Sequence, residues 1–320
     1  MFNIRKAGEL RNVMALKTLI YGQPGIGKTS LSCTASRPIL LDCDRGSHRS
    51  AFSTNVAVPE GVEMWDWSTF LYFAHNPNEW NAHEYDTIII DTIDSMLARC
   101  IDFIRLNECT YFGCNKSGQL YNVKQGTLSL QGYGTLKAQF KIFIEQIYKL
   151  GKDLVMIAHE KKESEGEKRI IPAITGGSFN EVLAVSDLIG YYSHKNGERV
   201  LTFQPNETSF GKDAGGIGIV NVPLFTESPD YFAELLSKAK QTMNDFAKAQ
   251  KEAMDKIRNL RVLIANIKDA MSANSFSEII KLETEQVKVV IRNEFITKCN
   301  SLGLVFNKES KKYEDGAIQE

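Results

Sequence analysis

Short apolar runs alternate with amphipathic stretches through the first two thirds of the chain. The apolar runs predict four buried strands, at Lys17–Tyr21, Pro38–Asp42, Thr87–Asp91 and Asp153–His159. Near-continuous apolar strands separated by helices indicate a parallel sheet that is covered on both faces. The pattern therefore predicts an α/β fold with a mostly parallel central sheet flanked by helices.

Weaker patterns fill the gaps between these strands. Val62–Trp67 is rich in β-forming residues and predicts a further short strand. A helix is predicted from about Gly134 to Leu150, because apolar residues recur there at helical spacing. That apolar stripe consists of Leu136, Phe140, Phe143, Ile144 and Ile147. Two later β-rich runs, Asp187–Ser193 and Arg199–Gln204, flank Asn196-Gly197, a pair typical of hairpin turns.

Beyond Ser228-Pro229 the pattern changes to long helical periodicity with many Lys, Glu and Ala residues. Proline disfavours helix in the residue before it and suits a first helical turn, so it favours a boundary at this point. We therefore predict a core over residues 1–228 and a helical C-terminal region over 229–320.

Within the C-terminal region the periodicity predicts two long helices, from about Tyr231 to Ala270 and from about Phe276 to Leu302. After them, Leu304–Phe306 and Lys312–Glu314 can close a small hairpin. The region is thus predicted to be a helical appendage that packs on the core or on a neighbouring subunit.

Composition and charge exclude several classes of protein. The formal net charge is −1, from 38 Lys and Arg against 39 Asp and Glu, which excludes a uniformly basic surface for nucleic acid but leaves room for a local basic groove. No apolar stretch approaches the roughly 18 residues of a membrane helix, and the first residues lack a signal-peptide core. The six cysteines are scattered, and Cys109 and Cys114 lack further ligands for a structural zinc site. We expect a cytoplasmic protein with reduced thiols and no membrane association.

The strongest chemical signal is the segment Gly22-Gln23-Pro24-Gly25-Ile26-Gly27-Lys28-Thr29, which matches the phosphate-binding pattern GxxxxGK[ST] between a predicted strand and a predicted helix. Glycines let the backbone wrap closely around anionic oxygens. Lys28 can then reach the β- and γ-phosphates, and the Thr29 hydroxyl can ligate Mg²⁺. The predicted ligands are ATP and Mg²⁺. The predicted nucleotide-binding residues are Gly22, Gln23, Pro24, Gly25, Ile26, Gly27, Lys28, Thr29 and Ser30.

Acidic residues end two of the predicted strands. Asp91 closes Thr87–Asp91, where it is well placed to hold Mg²⁺ together with Thr29. Thr92 follows at the position where many AAA+ ATPases carry a glutamate base, so a base for hydrolysis is expected elsewhere. Asp42 and Asp44, at the end of the strand after the phosphate-binding loop, supply candidates at the same sheet edge.

In order and spacing, the sequence resembles the RecA-like recombination ATPases. The matching segments are Gly22–Thr29, Asp42-Cys43-Asp44, Asp91-Thr92, Ala158-His159 and Thr175-Gly176-Gly177. Within that family, the chain is most similar to phage-encoded RecA-like nucleotide-binding proteins that assist single-strand annealing and recombination. The resemblance covers roughly residues 15–225 and implies a RecA-like P-loop ATPase core.

The resemblance also implies roles for three further residues. Asp44 matches the position of the catalytic glutamate, which orients or deprotonates the attacking water, although Asp44 is one methylene shorter. His159 falls where the bacterial recombinase has a glutamine that senses the γ-phosphate; a histidine bonded to a neighbouring carboxylate is the alternative. Lys212 matches a region that places a cation on the neighbouring subunit's ATP; a solvated loop lysine is its alternative.

Two stretches resemble the DNA-facing loops of this family by position. The first runs from about Asn107 to Gly132 and mixes aromatic and cationic residues, which suits stacking on bases and contact with phosphates. Its relevant residues are Tyr111, Phe112, Lys116, Tyr121 and Lys124. The second runs from Glu160 to Gly177 and follows His159 directly. Its glutamates nearly cancel its lysines and arginine, so a solvated surface hairpin remains the alternative.

The resemblance implies an ATP-hydrolysing protein that acts on single-stranded DNA in phage recombination, annealing or replication. Homo-oligomers are expected, because such sites are often shared across subunit interfaces, and a single-strand binding or annealing protein is a further candidate partner. Turnover is then expected to be slow without DNA or a second subunit. Two alternatives stay open: an AAA+-like loader that acts on a protein, and a non-catalytic module that ATP organises for binding.

Overall fold

The computed structural model describes residues 12–46, 56–112, 128, 130–164, 169–174 and 178–316. These residues form two compact units, one from Asn12 to Met243 and one from Asn244 onward. The long helix that begins at Tyr231 crosses this division.

A central sheet organises the first unit. Its strands are β1 (Lys17–Gly22), β2 (Pro38–Asp42), β3 (Thr87–Asp91), β4 (Asp153–Lys162), β5 (Ile170–Pro172), β6 (Leu188–Lys195), β7 (Glu198–Thr202), β8 (Lys212–Asp213) and β9 (Ile219–Asn221). The order along the sheet is β2-β3-β4-β1-β6-β7-β9, with β5 paired to β4 and β8 to β6. The five neighbouring strands β2, β3, β4, β1 and β6 are parallel to one another. All other pairings in the sheet are antiparallel. The predicted mostly parallel sheet is confirmed.

The register brings the ends of the central strands to one edge. Asp42 lies opposite Asp91 in the β2–β3 pair, and Gly22 lies opposite His159 in the β1–β4 pair. Because β4 runs between β1 and β3, His159 comes between the phosphate-binding loop and Asp91 along this edge. The sheet therefore collects the sequence-predicted residues at the carboxyl ends of its strands, where open α/β sheets bind ligands.

Helices cover both faces of the sheet. They are α1 (Lys28–Ser32), α2 (Trp67–His75), α3 (Ile93–Phe112), α4 (Leu130–Lys149), α5 (Ser178–Val185) and the start of α6 (Tyr231–Ala265). Alternate residues of β1 serve the two faces: Leu19 and Tyr21 pack with residues of α2, α3 and α4, while Ile20 packs with residues of α1 and α6. The predicted apolar stripe of α4 is buried throughout, so this helix is fixed by its apolar face.

The second unit is helical and closes with a hairpin. The end of α6 packs with α7 (Ala270–Lys281) and α8 (Glu285–Ser301) around an apolar cluster that includes Leu260, Phe276 and Ile291. Two short strands, β10 (Leu304–Asn307) and β11 (Lys312–Asp315), pair antiparallel. A C-terminal helical region is therefore part of the structure.

The strand predicted at Val62–Trp67 is wrong. Val62–Met64 forms a single 3-10 turn after Gly61, whose positive φ of 70° bends the chain. Trp67 is already the first residue of α2, because the Asp66 carboxylate accepts a hydrogen bond from the Thr69 backbone N–H and caps the helix. Local capping overrides the β preference of the side chains here.

Two helix predictions also need correction. The single helix predicted from Phe276 to Leu302 is two helices, α7 and α8, because the chain leaves the helix after Lys281 and restarts behind Thr284. The loop predicted to begin near Asn107 instead continues as α3 to Phe112, and α4 begins at Leu130 rather than Gly134. Lys116, Tyr121 and Lys124 lie outside the described residues, as do the side chains of Tyr111 and Phe112.

None of the helices in the described ranges is long and apolar enough to cross a membrane. Their lengths are instead accounted for by amphipathic packing on the sheet and in the second unit.

Trp67 is the main anchor of α2, so its replacement by alanine should destabilise the protein strongly. The side chain is fully buried, contacts Phe70 and Phe143, and donates from Nε1 to Gln139 Oε1 at 3.1 Å. We expect Trp67→Ala to lower the free energy of unfolding by about 3–5 kcal/mol, measured by urea denaturation. Tyr72→Ala on the same helix is the control, since Tyr72 is 55% exposed and its loss should cost less than about 1 kcal/mol. Similar losses in the two variants would contradict this assignment.

Candidate active site

The phosphate-binding loop leaves β1 in a conformation that only small residues allow. Gly25 and Gly27 have positive φ values of 77° and 103°, which are strained for residues with a Cβ atom. At Gly22, an added Cβ would lie 2.2 Å from the Tyr192 carbonyl oxygen of the neighbouring strand β6. Ile26 points into the core and is buried, so it fastens the loop to the sheet.

Lys28 lies beneath this loop and is only 5% exposed. Its Nζ atom donates hydrogen bonds to the carbonyl oxygens of Gly22 and Gln23, at 2.9 and 2.8 Å. Burial lowers the pKa of the Lys28 ammonium, against the opposing effect of Asp91, Glu160 and Asp44. The ammonium is thus held at the floor of the loop by weak carbonyl partners that an anionic ligand could replace.

Thr29 and Asp91 meet beside the loop. The Thr29 hydroxyl donates to Asp91 Oδ2 at 2.5 Å, and Asp91 is 7% exposed. Burial raises the pKa of Asp91 to about 6; the Thr29 hydrogen bond and Lys28 lower it, whereas Asp44 and Asp42 add to the rise. A bound cation, in addition to Lys28, would reduce the repulsion among the carboxylates of Asp91, Asp44 and Asp42.

The acidic turn after β2 is held in place by its own hydrogen bonds. Asp42 is buried, and its Oδ1 atom accepts from the Gly46 backbone N–H at 2.9 Å. Asp44 projects further, with 30% of its side chain exposed, and its Oδ2 atom accepts from the Thr92 hydroxyl at 3.0 Å. Thr92, which follows Asp91, therefore orients the Asp44 carboxylate.

His159 lies at the end of β4, between these groups. Its Nε2 atom is 3.9 Å from Asp44 Oδ2, too long for a hydrogen bond, and its buried Nδ1 atom has no hydrogen-bond partner among the described residues. Burial lowers the pKa of His159, and Lys28 lowers it further, while Asp44 and Asp94 oppose the shift. The imidazole is therefore neutral at neutral pH, and its ring lines the cleft.

These groups share one cleft of about 640 Å³. It is lined by Pro24, Gly25, Gly27, Lys28, Thr29, Ser30, Asp44, Gly46, Asp91, His159 and Arg199. Of the other sequence-predicted binding residues, Gly22 and Gln23 act through the carbonyl groups that hold Lys28, and Ile26 acts through its anchor in the core. The residues proposed to bind phosphate, to hold the metal and to position water thus lie together.

Lys212 lies apart from the cleft of its own chain. It sits on β8, and its Nζ atom donates to the Ser186 carbonyl oxygen at 2.6 Å. The side chain is thereby tied to the loop before β6. Thr175-Gly176-Gly177, the last segment of the family resemblance, lies outside the described residues.

Three residues of the site were given no role by the sequence analysis. Arg199 lines the cleft from β7, Gly46 lines it from the turn after β2, and Thr92 holds Asp44. The position of Thr92 directly after Asp91 is a signal that could have pointed to it. Nothing in the sequence around Arg199 separates it from a surface arginine of a hairpin.

The residues present fit a nucleoside triphosphate with Mg²⁺. A cradle of glycines with positive φ faces a buried ammonium, and the Thr29 hydroxyl and Asp91 carboxylate offer the oxygen donors that Mg²⁺ prefers. His159 adds a polar side chain to the lining of the same cleft. The arrangement can bind phosphates and align a water molecule.

A family model described as an AAA domain (AAA_24) matches residues 14–214. The match covers more than half of the chain and includes the phosphate-binding loop, Asp44, Asp91 and His159. The chain therefore belongs to this AAA domain family, and its first unit is a P-loop nucleotide-binding domain.

Solved structures to which the chain is similar include a RadB recombinase and a KaiC-like protein from Pyrococcus horikoshii OT3. The RadB match has 11% identity and a TM-score of 0.34, over 60% of this chain and 84% of RadB. The KaiC-like match has 13% identity and a TM-score of 0.36, over 65% of this chain and 90% of that protein. A search of curated protein sequences finds no match.

Proposed function

We propose that the protein is a RecA-type ATPase that couples ATP hydrolysis to work on single-stranded DNA. The observation that carries the proposal is the shared cleft, in which the phosphate-binding loop faces Asp91, Asp44 and His159. Family membership supports the nucleotide-binding part, and the order of the sequence segments supports the RecA-type part.

Each side chain of the cleft has a defined task in this proposal. Lys28 and the loop amides neutralise the β- and γ-phosphates, and Thr29 and Asp91 would hold Mg²⁺, which supplies charge neutralisation between these phosphates. Asp44, oriented by Thr92, positions the attacking water and accepts its proton. Positioning and charge stabilisation are the main requirements of phosphoryl transfer, and these groups supply both.

The DNA-binding part of the proposal rests on the segment that follows His159. Beyond that residue, β4 leaves its parallel neighbour β1 and pairs with β5, where Lys161 and Lys162 are exposed. We call this pair of strands the β4–β5 hairpin. A hydrogen bond from neutral His159 to the γ-phosphate would alter the position of the residue that precedes this hairpin. Its two lysines would bind DNA phosphates.

Homo-oligomers belong to the same proposal. Lys212 would then act in a subunit interface, after release from the Ser186 carbonyl, on the ATP of a neighbouring subunit. A single-strand binding or annealing protein is the further partner that fits phage recombination, with the bacterial cytoplasm as the place of action.

Phosphate release with and without a thymidine oligonucleotide, at a fixed low salt concentration, tests the proposal. We expect slow turnover alone and faster turnover with the oligonucleotide. The double variant Lys161→Ala, Lys162→Ala should keep the basal rate, lose the stimulation, and lower the salt slope of DNA binding by about 1 for each lysine that binds a phosphate. Lys141→Ala, Lys149→Ala, which removes two exposed lysines of α4, is the matched control and should behave as the wild type.

Other outcomes would select the alternatives. Turnover that ignores the oligonucleotide but responds to a protein partner would overturn the RecA-type proposal and favour an AAA+-like loader. ATP-dependent DNA binding without phosphate release, retained in a variant that cannot hydrolyse ATP, would favour a non-catalytic module.

A further inference from the structure

Arg199 is a cation of the cleft to which the proposed function gives no task. Among the residues that the structure describes, Lys28 and Arg199 are the two cations that line the cleft. Arg199 is partly buried on β7, and its main chain is fixed by pairing with His194 of β6 and by accepting a hydrogen bond from the Val222 N–H. Its position is therefore set by the sheet rather than by a loop.

The Arg199 side chain has a donor that no group in the described part of the chain satisfies. Its Nε atom is buried and has no hydrogen-bond partner among the described residues. A buried donor without a partner is unfavourable, and guanidinium groups bind phosphates through parallel hydrogen bonds. The Arg199 side chain lines the cleft and is partly exposed, so a phosphate there is the type of ligand that its guanidinium group would bind.

The strand order decides which end of the nucleotide Arg199 can reach. The phosphate-binding loop rises from β1, with β4, β3 and β2 on one side and β6 and β7 on the other. Asp91, Asp44 and His159, which would surround the γ-phosphate, all come from the first side. Arg199 comes from the second, so it faces the opposite end of the bound triphosphate.

A smaller cavity supports the same direction. It measures about 100 Å³, shares Gly27, Ser30 and Arg199 with the main cleft, and extends between α1 and the segment from Val222 to Tyr231. The Tyr192 hydroxyl lies close to the loop on this side, 3.9 Å from the position that a Cβ atom on Gly27 would take. The nucleoside end therefore leaves the loop past Arg199.

We propose that Arg199 binds the phosphates nearest the nucleoside, within the same chain, and so fixes ATP and ADP alike. This inference rests on the proposed function, because it requires the cleft to bind a nucleotide. The interaction is made before and after loss of the γ-phosphate, so it strengthens binding without a preference for the transition state.

The test compares Arg199→Ala and Arg199→Lys with Lys195→Ala in the full-length protein. Lys195 lies exposed on the same hairpin, outside the cleft, so its replacement removes one positive charge as a matched control. Titration calorimetry with ATP and with ADP, both with Mg²⁺, should show binding weakened about 10- to 100-fold in Arg199→Ala, by the same factor for the two nucleotides. Arg199→Lys should lose less, because it keeps the charge but not the fork of donors. KM should rise by a similar factor while kcat changes little.

Each other outcome is decisive. A loss confined to ATP, or a fall in kcat at unchanged KM, would place Arg199 at the γ-phosphate and overturn the inference. Unchanged binding in both Arg199 variants, with wild-type binding intact, would overturn it while the proposed function stands. If the wild type binds neither nucleotide, both fail. Thermal unfolding without nucleotide separates a folding defect from a binding defect, and Arg199→Lys provides the binding result if Arg199→Ala is unfolded.

Discussion

Replacing Lys28 with alanine is expected to lower the rate of ATP turnover by about a hundredfold to a thousandfold. The lysine is the buried cation at the floor of the phosphate-binding loop, and its ammonium is held there by two carbonyl oxygens of the loop. Loss of one fixed positive group that faces developing charge typically costs this much in rate. Phosphate release and nucleotide affinity are the measurements.

The structure predicts that Lys28→Ala folds normally. The variant loses two hydrogen bonds but also removes the cost of burying an ammonium, so the free energy of unfolding should change by less than about 2 kcal/mol. Lys149→Ala, at an exposed position of α4, is the control and should keep both turnover and stability. Turnover retained in Lys28→Ala would show that the catalytic site lies elsewhere.

The replacement Asp91→Asn should produce the second large effect, and it should act on activity and stability in opposite directions. Turnover should fall by about a hundredfold or more, because the amide removes the negative charge that would hold the metal with Thr29. The nucleotide-free protein should gain stability at neutral pH, because burial disfavours the Asp91 carboxylate.

The pH dependence gives this second prediction its sign. Asp91 has an ordinary pKa of 3.8 and a folded pKa of about 6. Between these values the folded protein keeps a proton that the unfolded chain has lost, so stability falls as pH rises through about 4 to 6 and stays low above it. Asp91→Asn lacks this group, so its advantage over the wild type should grow across the window by roughly 3 kcal/mol.

Urea unfolding at pH 4.5 and at pH 7.5, without nucleotide, checks the prediction. The advantage of the variant over the wild type should be larger at the higher pH than at the lower pH, by roughly 2 kcal/mol. A variant that is less stable than the wild type at pH 7.5 would show that the Thr29 hydrogen bond and Lys28 outweigh the burial of the carboxylate.

Residues that act through local sequence were predictable. The apolar runs predict β1 to β4, because a strand that is buried on both faces is apolar at nearly every position. The glycine pattern around Lys28 identifies the phosphate-binding loop, and Asn196-Gly197, both with positive φ, identify the turn between β6 and β7. In each case the residues that determine the local structure lie within a few positions of one another in the sequence.

Features that depend on residues far apart in the chain were not predictable. The strand order that places β4 between β1 and β3 is a property of the whole sheet, and so is the position of Arg199 across the loop from His159. The segment Val62–Trp67 is not a strand, because the positive φ of Gly61 precedes a 3-10 turn and the Asp66 cap starts α2 at Trp67. Capping competes with strand propensity on a scale of about 1 kcal/mol, which composition alone does not resolve.

The two ends of β4 limit how the cleft can communicate with the rest of the chain. At the start of β4, Asp153 accepts hydrogen bonds from the Leu16 N–H and from Lys240 of α6. From Leu154 to Ile157 the strand is paired with β1 on one side and β3 on the other. Such a strand cannot slide by one residue without exchanging its faces. Under the proposed function, side chains at the rim would relay nucleotide occupancy, and the nearest backbone held by a less extensive pairing is the stretch after His159, where β4 has left β1 and pairs with the short strand β5.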